Sequence, residues 1–172
     1  LPDMAENAYF HHAGNPVEPT LNYLSTEDWN ITEEPSEEEG IPSTIKNMFD
    51  MNFSTNWAPT TQAAWREHII TLSRSEKKTV HGIRLVQPSF ATNGFVNSKL
   101  SPTVVKIQVS VNRYDWENAT YLEENTLGTT SREATIIHFP EPKDILMIRF
   151  IFNDQAQSSS NMGVVVSEIS LF

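Results

Sequence analysis

A chain of 172 residues and 19.5 kDa, 38% hydrophobic and 10% aromatic, has the apolar content of one globular domain and is too rich in core formers to be disordered throughout. Its formal charge of −10 lies wholly in the first 40 residues, which hold ten Asp and Glu and no Lys or Arg, while the remainder balances twelve against twelve; the clustered basic surface that nucleic acid requires is missing. Without cysteine there are no disulfides and no Cys-based zinc or thiol chemistry, and no apolar run reaches the ~18 residues that cross a bilayer as a helix.

Residues 1 to 24 mix Pro, Gly, Asn and His without a period and read as a linker from an upstream domain; His11-His12 is polar surface of that linker. The start has neither an initiator Met nor the pattern of a signal peptide, so the chain reads as a fragment of a longer protein whose module spans 25–172. Glu33 to Gly40 carries five glutamates and reads as a solvated loop. From Trp65 onward, short runs rich in Val, Ile, Thr and Phe alternate with turns: His68–Ser73, Val80–Val86, Val104–Val111, Ala134–Phe139, Ile145–Phe152 and Val164–Phe172, with Pro88, Pro102, Pro140, Pro142, Gly94 and Gly163 between them. Val105, Ile107, Val109 and Val111 alternate with Lys106, Gln108 and Ser110, which gives one core face and one wet face. Ile145-Leu146-Met147-Ile148, apolar throughout, fits a central strand covered on both sides or one passing under a loop. With no convincing helical period, the pattern predicts an all-β sandwich or barrel.

No catalytic signature is present: neither G-x-S-x-G nor H-E-x-x-H nor a phosphate-cradling Gly loop occurs. Asp115 and Glu117 flank Trp116 and are read as an exposed hairpin turn rather than as paired glycosidase carboxylates. Asp50, Asn52 and Thr55 offer hard oxygens within six residues, the ligand type that calcium takes. An EF-hand is excluded because Thr55 stands where it needs Gly and Thr61 where it needs Glu. On spacing alone, Asp50 capping a turn with Glu168 in solvent is favoured over a metal loop.

These residues also carry a resemblance. Asn47 through Trp57 is similar to the "N-x-x-D-G-D/N-x-x-T-x-W" loop of discoidin (coagulation factor type C) domains and of family 32 carbohydrate-binding modules. Trp29-Asn30-Ile31 resembles the opening strand, Trp65 through Leu72 the "W-I-x-I-D-L-G" strand, and Val80 through Leu85 "V-x-G-I-R-L". Val109-Ser110 with Tyr114-Asp115-Trp116 resembles "V-S-x-D-G-x-x-W", and Ser167 through Phe172 the terminal "A-E-I-E-L-Y". Six motifs in order imply an eight-stranded jelly-roll β-sandwich of galactose-binding-like type. Met51 departs from the family's Gly, Ser73 from the Gly of "L-G", and the missing terminal Cys pair favours a bacterial, extracytoplasmic setting in the periplasm or at the cell surface.

The resemblance implies a structural calcium site made by carbonyls near Asn47 and Asn52, the side chains of Asp50 and Thr55, the Ser167 carbonyl and the Glu168 carboxylate. It also implies a non-catalytic module that binds an oligo- or polysaccharide, with a protein-interaction or adhesion module, or an accessory domain of a glycoside hydrolase, as alternatives. The loop Gln87–Lys99 holds the residue types of a sugar site, with Gln87, Phe90, Asn93 and Phe95 as candidates; core packing is the competing reading of the two phenylalanines. Gln87 stands where galactose-binding relatives carry Arg, and Ala58 where they often carry His, so galactose itself is not predicted. Lys99 is the nearest cation to Phe90 and Phe95, a poor fit to anionic lipid. Trp29, Trp57, Trp65 and Trp116 are expected in the core, and the sequons at Asn30, Asn52 and Asn118 are read as chance.

Overall fold

The structure, a computed structural model, describes residues 21–60, 67–90, 100–153, 155–158 and 161–172. Residues 1–20 of the linker expected over 1–24, with Trp65, Asn93 and Phe95, lie outside the described residues. β1 (Asn30–Glu34) is followed by a 3-10 turn (Ile45–Phe49), and then by β2 (Glu67–Val86), β3 (Val104–Ser110), β4 (Glu117–Asn118) and β5 (Asn125–Thr126). β6 (Ala134–Asn153), the hairpin β7 (Gln155–Ser158) and β8 (Asn161–Gly163), and β9 (Glu168–Leu171) complete the order.

Two strands of 20 residues organise everything else. β2 and β6 pair antiparallel from Glu67↔Asn153 to Val86↔Ala134, and the register shifts between Ser73 and Lys78 and again between Val80 and Gly82. Bulges of this kind bend a strand and let it pass from one sheet to the other. Before the bulges β2 pairs with β1, and the matching half of β6 pairs with β3, which carries β4 and β5 on its other side. Beyond them β2 pairs with β9. The expected sandwich is therefore present, but the runs His68–Ser73 and Val80–Val86 are two halves of one strand, as are Ala134–Phe139 and Ile145–Phe152. The prolines read as separators explain the difference: Pro140 and Pro142 fall in the stretch of β6 that has no ladder partner in β2, where a missing N–H is harmless. The stretch predicted at Val164–Phe172 narrows to β9 plus a bridge between Trp57 and Val166.

Alternation places the core. Ile70 and Leu72 of β2, Val105, Ile107 and Val109 of β3, and Ile148, Phe150 and Phe152 of β6 are buried from one sheet, and Ile83, Leu85, Ile169 and Leu171 meet them from the other. β6 lies between β2 and β3, the central place expected of its apolar run. Trp29 and Trp57 are core residues as expected. Trp116 is not: it is half-buried, with the Arg149 guanidinium 4.1 Å from its ring centroid. Gly82 is required by packing, since a Cβ there would lie 2.3 Å from the Ile137 carbonyl oxygen and 2.5 Å from the Phe172 ring. Among the described residues no helix is long and apolar enough to cross a membrane.

Candidate functional site

The loop after the 3-10 turn is wound by its own short polar side chains. Asp50 Oδ1 accepts the Asn52 N–H at 2.8 Å, and Asn52 Oδ1 accepts the Ser54 N–H at 3.1 Å and its hydroxyl at 2.6 Å. Such side-chain turns stand in for backbone ladders. Met51 sits between them at φ 57, the left-handed conformation that explains why the family prefers glycine there.

Winding brings oxygens together around Thr55. Its Oγ1 lies 2.7 Å from Asp50 Oδ2, 2.9 Å from the Asn52 carbonyl and 3.4 Å from the Asn47 carbonyl. A hydroxyl has one proton to donate, so three acceptors compete for it. From the opposite side β9 presents Glu168, fully buried, with Oε2 accepting the Met51 N–H at 3.1 Å and Oε1 without a hydrogen-bond partner. Burial pushes this carboxyl up to about 8, and the neighbouring Asp50 adds to the shift against the pull of the Met51 N–H and Arg84. The arrangement has an excess of acceptors and a buried carboxyl whose affinity for a proton is raised. Two carboxylates, two carbonyls and a hydroxyl, with no nitrogen or sulfur, are donors of the type that a hard divalent ion takes.

Of the residues expected at this site, Asn47, Asp50, Asn52, Thr55 and Glu168 converge. Ser167 is buried beside them and adds a tie that sequence reasoning did not anticipate: its hydroxyl lies 3.0 Å from the Phe53 carbonyl and 3.3 Å from that of Thr55. The backbone bridge between Trp57 and Val166 and the Trp57 Nε1–H donated to Glu33 at 2.9 Å anchor the loop further. The Met51 amide, which holds Glu168, leaves no signature in sequence because it is main chain.

The ligand-loop expectation needs a correction at Gln87. Its side chain is fully buried, and Nε2 donates to the carbonyls of Pro102 and Gly128, each at 2.9 Å. It ties two loops together from inside and is not available to a sugar hydroxyl. Phe90 is half-buried, so neither full burial nor a free ring describes it. Its amide donates to Ser131 Oγ at 3.0 Å, while Arg132 N–H donates to the Pro88 carbonyl at 3.1 Å and Gln87 N–H to that of Glu133 at 2.9 Å. The loop Gly128–Glu133 is thereby fixed against Gln87–Phe90 and places the exposed Arg132 at this end of the sandwich. No sequence motif marked Arg132, because it enters from a different turn. Asn93 and Phe95 lie outside the described residues. Asp115 is exposed in the surface turn expected of it and accepts from Asn112 at 2.7 Å, whereas Glu117, expected in the same turn, opens β4 and pairs with Lys143 at 3.0 Å.

No protein-family model matches the sequence, and no curated protein does. Solved structures do match. A family 32 module from Clostridium perfringens in complex with GalNAc-β-1,3-galactose superposes with a TM-score of 0.62 at 15% identity, covering 88% of this chain and 99% of that one. The C-terminal domain of a chitobiase from Bacteroides fragilis gives 0.62 at 16% identity, covering 88% and 97%. Chitosan-binding module 1 of a chitosanase/glucanase from Paenibacillus sp. IK-5 gives 0.59 at 16% identity, covering 88% and 99%. The fold is therefore the galactose-binding-like sandwich of the family 32 carbohydrate-binding modules.

Proposed function

We propose that this chain is a non-catalytic glycan-binding module whose first loop and last strand are clipped together by a structural calcium ion. The observation that carries the calcium is the mismatch of donors and acceptors at Thr55 and Glu168: three acceptors face one hydroxyl, and a buried carboxylate oxygen has no partner. Asp50, Thr55 and Glu168 would hold the ion with side-chain oxygens and Asn47 and Asn52 with carbonyls; the Ser167 carbonyl completes the set that the resemblance implies. Bound there, calcium supplies the positive charge that allows both carboxylates to stay ionised. No residue in this reading acts on substrate.

The glycan reading is supported by the shared fold, whose solved examples include modules described with bound GalNAc-β-1,3-galactose and as chitosan-binding. Loops carry recognition on such folds because the sheet faces are committed to packing. On this chain hydrogen bonds from the Phe90 amide to Ser131 and from the Arg132 amide to Pro88 tie together two loops that carry the half-buried Phe90 and the exposed Arg132, an aromatic residue and a guanidinium donor at one end of the sandwich. The partner is an oligo- or polysaccharide, and the setting is extracytoplasmic, in a bacterial periplasm or at the cell surface, beside other domains of a longer protein. A glycan array on the calcium-loaded chain, followed by titration of each hit against Phe90→Ala and Arg132→Ala, tests this. Each substitution should weaken the hits about tenfold, the order of a lost charge-assisted hydrogen bond or ring contact. An empty array, or hits indifferent to both substitutions, would overturn it.

A further inference from the structure

The bulges that bend β2 do more than switch sheets. They turn Lys77 and His81 out of the ladder, and with Lys78, His138, Thr79 and Asp144 these residues line a cleft of about 710 Å³. The volume falls within the range of small-ligand sites. Its floor is apolar: Leu24 is half-buried, and Phe172 is held by His81 N–H and Gly82 N–H, which both donate to its main-chain oxygen. The exposed His138 ring stands edge-on to Phe172, with centroids 5.3 Å apart. Five residues of extended strand, roughly 17 Å, separate His81 from Val86, so the cleft lies at the far end of the second sheet from the Phe90–Arg132 loops.

The charge of this cleft runs against that of the protein. The chain carries −10 overall, yet the cleft gathers two lysines and two imidazoles against one acidic side chain, Asp144, which lies 3.5 Å across the strand pair from the Thr79 hydroxyl. Lys77, Lys78, His81 and His138 are exposed, and among the described residues none of their side chains is in a salt bridge. Two unpaired lysines above an apolar floor, with Thr79 and Asp144 as a hydroxyl-binding pair, are the complement of a ring that carries a carboxylate and several hydroxyls.

We propose that this cleft is a second binding site, for the carboxylate-bearing residue of an acidic saccharide. It deepens the glycan reading, but the two sites are separable by mutation. Lys77 and Lys78 take the carboxylate, Asp144 and Thr79 the ring hydroxyls, and His138 over Phe172 the apolar face of the sugar. The probe is a trigalacturonate, titrated calorimetrically into the calcium-loaded chain alongside its fully methyl-esterified form, which keeps the shape and loses the charge. The acid form should bind, the ester should bind at least about tenfold more weakly, and the double substitution Lys77→Ser/Lys78→Ser should weaken the acid about tenfold without changing the melting temperature. Added salt should weaken it. Phe90→Ala and Arg132→Ala should leave it unchanged. No binding of the trigalacturonate, equal binding of acid and ester, or indifference to the lysine substitutions would each overturn the proposal. An empty glycan array together with lysine-dependent trigalacturonate binding would remove the loop site and leave this one standing.

Discussion

Replacing Glu168 by glutamine separates the electrostatic role of this residue from its shape. Without metal, the folded chain holds the Glu168 carboxyl at about 8 rather than the ordinary 4.5, so between those values the folded state keeps a proton that the unfolded chain has released. Stability then falls as pH rises across that window and is level above it. At about 1.4 kcal/mol per pH decade the shift corresponds to at most ~5 kcal/mol. Glu168 has no exposed surface, but the loop over it is thin and rich in exposed polar groups, so we discount that figure for solvent screening by about half, to ~2–3 kcal/mol. For a chain of this size that is a fall of roughly 5–10 °C in melting temperature between pH 5 and pH 8 in chelator. Calcium at a hundredfold excess over its Kd adds about 2.7 kcal/mol and removes the fall, because the ion takes the place of the proton. Glu168→Gln has nothing to ionise, so its chelated melt should lack this component of the pH slope and calcium should raise it little. Thermal melts followed by circular dichroism at pH 5, 6.5 and 8, with chelator or calcium, supply the comparison. A parent and variant with the same slope in chelator, or the same gain from calcium, would refute the reasoning.

Asp50→Ala should melt at the chelated temperature of the parent whether or not calcium is present, since it removes the carboxylate that both winds the loop and faces Thr55. Met51→Gly should stabilise the chain by about 0.5–1 kcal/mol in a denaturant melt, by relieving a left-handed backbone at φ 57. Gln87→Ala should cost about 1–3 kcal/mol in urea unfolding by stranding the Pro102 and Gly128 carbonyls; a neutral result would show that this side chain does not hold the two loops together. Gly82→Ala should lower the melting temperature, because its new methyl meets the Ile137 main-chain oxygen as well as the Phe172 ring; an unchanged melt would show that β6 can yield there.

Sequence by itself determined the class of fold and the winding of the loop from Asp50 to Thr55, because both rest on local rules. Period-two alternation at Val105, Ile107 and Val109 names a core face without knowledge of its partner, and the Asx turns at Asp50 and Asn52 are made within a few residues of chain. What only the tertiary structure decided depends on contacts between distant segments. Pro140 and Pro142 look like strand ends until the register of β2 against β6 leaves their positions without a ladder partner. Gln87 has the composition of a ligand residue, but Pro102 and Gly128, far along the chain, supply the carbonyls that draw it inside. Glu168 lies 117 positions from the Met51 amide that holds it, and its burial, which raises its affinity for a proton and turns a surface acid into a candidate metal ligand, comes from two sheets closing over β9. Local polarity is encoded residue by residue, whereas desolvation belongs to the assembled fold.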